Sequence, residues 1–373
     1  MKLIPLLLLA SISICGAAES TSTNPPPRRP PIVSPEVLAD RHVTFHFQSS
    51  NVTTVAVAGE WADKSTPLEL GTNGIWSARI GPIEPGIYGY SLTVDGVQMI
   101  DPSNSQVKPM RSPRTSILEV PGDPPLLSEF DPAIVHGSVH QQTYFSKALR
   151  RKRSVHVYTP PGYEQKRFGS YPVFYLLHGA GDNDATWTEF GRAQFILDNL
   201  IAQNKARPMI VVMTDGHAMA QSGQGTNYFL LNVKAFEDDL LGDVMPLVEK
   251  QYRIKRSREN RAIAGLSMGG GEALQIGLNH QELFAWVAGF SSFVPEPEKT
   301  MGNSLENADE TNKRLKLLWV ACGRDDFLAG QNKAFDEFLE SRRIRHAFRL
   351  TAGKHNWPVW REYLAELAPQ IFH

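Results

Sequence analysis

The sequence predicts a mostly parallel β-sheet with helices on both faces, preceded by a small all-β sandwich. Three observations carry this reading. Short alternating runs between residues 42 and 101 are punctuated by Gly, Pro, Asn and Asp, the pattern of half-buried antiparallel strands. From residue 150 onward, nearly continuous apolar runs alternate with segments of helical spacing, as parallel strands buried on both faces require. Between the two textures lies a proline-rich stretch, "VPGDPPLLSEFDP" at 120–132.

Taken in order, "MKLIPLLLLASISICGAAES" has one Lys, an apolar run and the small residues Gly16, Ala17 and Ala18. It reads as a signal peptide over 1–18, implying a secreted or periplasmic protein. The run is short for a membrane span, and no other span is expected. Cys15 offers a lipoprotein anchor as the alternative, against which stands Ile14, larger than such processing usually takes. Removal of Cys15 would leave Cys322 alone, with no internal disulfide. A proline-rich linker over 19–38 resists helix and sheet because each Pro fixes φ and lacks a donor.

The sandwich is expected over 39–121, from "HVTFHFQ", "TTVAVAGEW", "GIWSARI", "GIYGYSLTVDG" and "VQMIDP". Trp61 and Trp76 suit either a sugar-stacking surface or a core, and core is preferred because aromatics dominate such cores. A second linker covers 122–136. Over 137–373, strands are expected at "SVHVYTP", "YPVFYLLHG", "PMIVVMTDG", "RAIAGL", "AWVAGFSS", "LKLLWVACG" and "HAFRLTAG". Helices are expected at "RAQFILDNLIAQN", "NVKAFEDDLLGDVMPLVEKQY", "GGGEALQIGLNH" and "NKAFDEFLESRR". Such a sheet carries its chemistry at the carboxyl ends of its strands. With 38 Lys+Arg against 39 Asp+Glu and no basic stripe, nucleic acid is not an expected partner. The cluster "RRKR" at 150–153 reads as a solvated face.

"RAIAGLSMGGGEAL" at 261–274 sets Ser267 between Gly265 and Gly269, where a tight strand-to-helix turn leaves no room for neighbouring Cβ atoms and lifts the hydroxyl above the sheet. Alone, this is as readily a glycine-rich turn. An acid and a histidine follow in the order such a nucleophile needs. "LLWVACGRDDFL" ends a strand just before Asp325 and Asp326, and "TAGKHNWPVW" puts His355 after the last strand. Imidazole, with a pKa of about 6.5, suits removal of the serine proton, and a carboxylate fixes its tautomer. An oxyanion hole is expected from the Met268 N–H and from the loop after "YPVFYLLHGAG", through Ala180 with Gly181 as the alternative. No Cys/His cluster has ligand spacing, so neither metal nor cofactor is expected.

Residues 137–373 resemble carbohydrate esterase family 1, which holds feruloyl and acetyl xylan esterases and has enterochelin esterases and mycolyltransferases as relatives. The matching stretches are "VYTPPGY", "YPVFYLLHGAGDNDATW", "FEDDLLGDVMPLVEKQY", "RAIAGLSMGGGEAL", "VACGRDDFL" and "GKHNWPVWREYL". The resemblance implies an α/β hydrolase fold, points to Asp326 over Asp325 as the acid and to His355 as the base, and matches Trp360 to an aromatic that follows it. The sandwich resembles the immunoglobulin-like carbohydrate-binding module family 48 through "VAVAGEWAD", "GIWSARIGPIEPGIYGYSLTVDG" and "DPSN".

The expected function is therefore a secreted serine esterase acting on plant cell-wall polysaccharide, feruloylated or acetylated xylan, with feruloyl esters preferred. Trp187, Tyr228, Phe293 and Trp357 are candidates to line the acyl pocket. Alternatives are an acetyl xylan esterase, an enterochelin-type esterase, for which Arg192 and Arg324 are the candidate cations, an acyltransferase, and a non-catalytic carbohydrate-binding protein.

Overall fold

The computed structural model describes residues 32–166, 168–219, 223 and 225–373. The expected signal peptide, Cys15 and most of the first linker lie outside them. Residues Val33–His373 form one compact unit.

Its N-terminal part holds two antiparallel sheets. One runs in the order Glu36–Val37, Val43–Gln48, Ile75–Ile80, Glu69–Leu70; the other in the order Thr66–Pro67, Val55–Gly59, Gly86–Val94, Val97–Met99, with Ser116–Val120 also on Gly86–Val94. The pair Glu36–Val37 falls within the stretch expected to be linker. Alternation does the folding: in Val43–Gln48, Val43, Phe45 and Phe47 are buried and join Val57, Tyr90 and Leu92 in one core. Trp76 is buried in that core, and Trp61 packs against it, stacked on Phe45 at 5.5 Å.

The larger sheet has eight strands, here β1 (Ser138–Ser146), β2 (Arg151–Thr159), β3 (Val173–Leu177), β4 (Ile210–Thr214), β5 (Arg261–Leu266), β6 (Trp286–Phe290), β7 (Leu317–Gly323) and β8 (Ala347–Thr351). Their order is β1-β2-β4-β3-β5-β6-β7-β8. β1 and β2 are antiparallel to their neighbours, and the pairs from β4 to β8 are parallel.

The central strands read as unbroken apolar runs because each face meets its own core. In β3, Val173, Tyr175 and Leu177 enter one core while Phe174 and Leu176 enter the other. Helices α1 (Ala193–Ala202) and α5 (Trp357–Leu367) cover one face; α2 (Gly225–Asp239), α3 (Ser267–Asn279) and α4 (Ala329–Ser341) cover the other. The expected helix at 232–252 is interrupted by a π-helical turn at Leu240–Val244, after which Met245–Gln251 resumes.

The edge strand β1 was not anticipated, because its polar run "SVHQQTYFS" is buried only toward its end. "RRKR" is a solvated face only in part: Arg150 and Lys152 are exposed, and Arg153 is not. It enters β2, where alternation turns Arg153 inward: the residue is buried and pairs with Asp239 at 3.1 Å. Arg153 also donates to the carbonyls of His217 and Asp215. A buried charge persists only when paired in this way.

Among the described residues, no helix is long and apolar enough to cross a membrane.

Candidate active site

Ser267 begins α3 directly after β5, with φ of +54°. A left-handed conformation costs a non-glycine residue roughly 1–2 kcal/mol, and it persists because its surroundings over-determine it. The flanking glycines show how. A Cβ on Gly265 would strike the Gly269 carbonyl, one on Gly269 the His178 carbonyl, and one on Gly271 the Phe293 carbonyl. The "GLSMGGG" run therefore lets α3 lie against β5 and the end of β3 at backbone distance, with the serine at the apex.

Around it the three expected residues meet. His355, between β8 and α5, has Nε2 3.0 Å from Ser267 Oγ, and its Nδ1 lies 2.9 and 3.0 Å from the two Asp326 oxygens. Asp326 Oδ1 also accepts the Leu328 N–H at 2.8 Å. Burial pushes the Asp326 carboxyl upward, but hydrogen bonds from His355, Leu328 and Ser291 outweigh it and hold the group below its ordinary range. Asp325 is exposed, and its backbone N–H goes to the Gly353 carbonyl, so the geometry separates the two neighbours. Cys322 sits beneath, its thiol pushed up to about 12, chiefly by burial. The imidazole packs edge-on to Trp360 (4.9 Å, 89°) and beside the exposed Phe327 (4.4 Å).

Met268 stands in the first turn of α3, where the backbone N–H has no intrahelical acceptor. On the facing loop, the Gly181 N–H is directed to His217 Nε2 at 3.2 Å, which leaves Ala180 as the loop residue that lines the same cavity as Ser267 and Met268 with its N–H not so engaged. His217 can accept because it is neutral: burial first, then the cations around it, push it down to about 3. His178 braces the same loop, with Nδ1 2.8 Å from the Gly179 carbonyl and Nε2 2.9 Å from the Gly216 nitrogen. Sequence reading passed over His217.

Two cavities open at Ser267. The larger, of about 570 Å³, is lined by Tyr228, Phe293 and Met268 together with Arg111, Arg114 and Phe327. The smaller, of about 180 Å³, is lined by His355, Trp357 and Trp360 with Glu60, Lys108 and Asp182. Tyr228 and Phe293 thus face the larger cavity and Trp357 the smaller. Trp187 faces neither: it is fully buried, donates Nε1 to the Leu177 carbonyl at 3.0 Å and packs edge-on to Trp357, so it shapes the wall from behind. Arg192 pairs with Glu119, away from both cavities.

What sequence reading missed comes from the N-terminal half. Lys108 pairs with Asp182 at 2.8 Å, Met110 bridges to Asp182, and the Arg111 N–H donates to the Gly181 carbonyl at 2.9 Å. No local pattern announces that this loop reaches the nucleophile. Among the described residues, no group of three or more His, Cys, Asp or Glu side chains is placed to hold a metal.

Residues 146–371 match the family model described as "Putative esterase". The chain belongs to this esterase family. An endo-1,4-beta-xylanase/feruloyl esterase of Xylanibacter ruminicola is 30% identical over 345 residues, covering 91% of this esterase chain and 46% of that protein; the chain thus spans about half the length of that relative. A CE1 ferulic acid esterase structure from Anaeromyces mucronatus is 26% identical with a TM-score of 0.57, covering 66% of this chain and 94% of that one. The enterobactin esterase of Shigella flexneri, 18% identical, shares the fold over 88% of this chain and 92% of its own, with a TM-score of 0.64.

One further carboxyl in this esterase lies behind the site. Glu272 is fully buried on α3, its Oε1 accepts from Asn232 Nδ2 at 2.9 Å, and burial, joined by the charge of Asp215, raises its pKa well above 4.5. The folded state therefore binds this proton more tightly than the unfolded chain. That contribution to stability is complete below pH 4.5 and is lost as pH rises toward the folded value, at up to about 1.4 kcal/mol per pH unit. Glu272→Gln removes the titration, so its thermal midpoint relative to wild type is expected to climb between pH 5 and pH 8, read by calorimetry; a pH-independent difference would contradict the buried neutral acid.

Proposed function

We propose that this esterase is a secreted serine carboxylic-ester hydrolase that releases hydroxycinnamoyl, above all feruloyl, groups from plant cell-wall xylan. The observation that carries the reading is the line of contacts Asp326–His355–Ser267, at 2.9 and 3.0 Å, at the mouth of an aromatic-lined cavity.

Ser267 Oγ attacks the acyl carbon as His355 Nε2 takes its proton, and the carbonyl electron pair moves onto oxygen beside the Met268 and Ala180 N–H groups. Each such donor is worth roughly 10²–10³ in rate. When the tetrahedral adduct collapses, the acyl–oxygen bond breaks and His355 returns the proton to the leaving alcohol. Water then repeats the sequence on the acyl-enzyme, its proton passing through His355 to Ser267 as the acid departs. Asp326 holds the imidazole with its proton on Nδ1 and stabilises the imidazolium between steps.

Among the described residues His355 lines only the smaller cavity. The alcohol, which needs the proton of His355, is therefore assigned to that side and the acyl group to the larger one. A cavity of about 570 Å³ walled by Tyr228, Phe293 and Phe327 suits an aryl acyl group and far exceeds the needs of acetate. The Xylanibacter and Anaeromyces relatives, a feruloyl esterase and a ferulic acid esterase by name, favour the same substrate class. We assign the N-terminal sheets to an immunoglobulin-like module of family 48 type that helps build the site, since Lys108, Met110 and Arg111 engage its loop. An enterochelin-type activity is the second reading, favoured by Arg111 and Arg114 on the cavity wall.

A panel of feruloylated arabinoxylan, acetylated xylan and a catecholate siderophore decides among them. Ferulate release is expected to have a kcat/KM at least about tenfold above the others, the difference of one good polar contact; faster release of acetate or of the siderophore acyl group would replace the assignment.

A further inference from the structure

We infer that Arg111 and Arg114 form a cationic wall of the acyl cavity that selects aryl acyl groups carrying an anionic or acidic oxygen on the ring, away from the ester. The inference rests on the reading of Ser267 as the nucleophile and of the larger cavity as the acyl side.

The two arginines reach the cavity from the loop between Val97–Met99 and Ser116–Val120, in the N-terminal half of the chain. The anchoring of that loop does not use their side chains. The Arg111 N–H is tied to the Gly181 carbonyl, Met110 bridges to Asp182, and Lys108 supplies the buried ion pair with Asp182. The guanidinium groups are thereby left over. Both residues are exposed, and among the described residues neither has a carboxylate partner.

Among the described residues, no Asp or Glu lines the cavity they border. The neighbouring imidazole, His217, adds no charge of its own, since it is held neutral by burial and by the cations around it, Arg111 among them. Tyr228 also lines the cavity.

Two guanidinium groups at the border of a slot walled by Met110, Phe229, Phe293, Phe327 and Leu328 form a receptor for a flat ring that ends in an electron-rich oxygen. The apolar walls take the ring and the cations take the oxygen, by charge-assisted hydrogen bonds that a neutral ether cannot match. A phenolic oxygen and a ring carboxylate share this chemistry.

Three methyl cinnamates separate the possibilities: methyl ferulate, its analogue with the phenol capped as a methyl ether, and a cinnamate with a ring carboxylate at the same position. Their kcat/KM values are compared in the wild type and in the Arg111→Gln/Arg114→Gln double variant, with thermal melting to verify folding. In the wild type, the free phenol, the carboxylate, or both are expected to exceed the capped ester roughly tenfold, the size of one charge-assisted hydrogen bond. A phenol-only preference identifies phenolic acyl groups, and a carboxylate-only preference dicarboxylic ones. In the double variant these ratios are expected to fall to within about twofold.

Equal values in the wild type would overturn the inference. So would ratios that survive in the variant, including a uniform fall on all three esters, which marks a structural role. Failure of the underlying reading looks different: hydrolysis of the capped ester would then persist in Ser267→Ala.

Discussion

Ser267→Ala is expected to lower kcat for methyl ferulate by about 10⁶, the scale set by loss of a serine nucleophile in comparable machinery. The hydroxyl removed lies 3.0 Å from His355 Nε2, and no other described residue presents a nucleophile to that imidazole. Folding should survive, because alanine keeps the Cβ and the surroundings are unchanged; a shift of the thermal midpoint beyond ~4 °C, about 1 kcal/mol or more, is not expected. A companion variant exposes the strain. At φ of +54°, Ser267→Gly relieves a left-handed conformation that alanine retains, so the glycine variant is expected to be more stable than the alanine variant by about 1 kcal/mol. Both should be inactive. Retention of appreciable activity in either, measured with freshly purified protein and an active-site titrant, would remove Ser267 from the mechanism. A glycine variant less stable than alanine would instead show that the turn is not under strain.

The parts legible in the sequence are those in which a local pattern and a physical need coincide. Unbroken apolar strands revealed a sheet buried on both faces, because Val173 through Leu177 must satisfy two cores at once. The glycines around Ser267 were legible because only backbone fits between α3, β5 and the His178 carbonyl. His355 and the pair Asp325/Asp326 followed from their place after strands that end on the same side, while the choice of Asp326 over its neighbour came from the resemblance. Illegible were the features that depend on what long-range folding brings together. Arg153 looked like one member of an exposed basic run, and only the pairing of β2 with β1 and β4 turned it toward Asp239. Trp187 occupied the loop region expected to line a pocket, yet its indole found the Leu177 carbonyl beneath the site. Arg111 and His217 carry no motif; they matter because the loop at Gly181, some 70 residues after Arg111 and 36 before His217, is pinned between them.

Asp326→Asn is expected to cost about 10⁴ in kcat, while Asp325→Asn changes it little. The two substitutions remove the same charge one residue apart, so their difference isolates geometry from net charge. An amide at position 326 can keep the shape and still accept one hydrogen bond, but its nitrogen donates. That donor facing His355 Nδ1, at 2.9–3.0 Å, drives the imidazole proton to Nε2. His355 Nε2 then cannot accept from Ser267. The amide also fails to stabilise the imidazolium when it forms. Because the imidazole and serine remain in place, substrate binding should be preserved, so the loss is expected in kcat with KM within about threefold, the split that marks an interaction made only in the transition state. Solvent hydroxide can partly replace the missing base, so the residual rate of the 326 variant should rise with pH where the wild-type rate has levelled. Equal losses from both substitutions would mean that charge alone sets the rate. A larger loss at 325 would transfer the acid to an exposed residue whose backbone, not its side chain, is held by the Gly353 carbonyl, and the geometry around His355 would then belong to an inactive state.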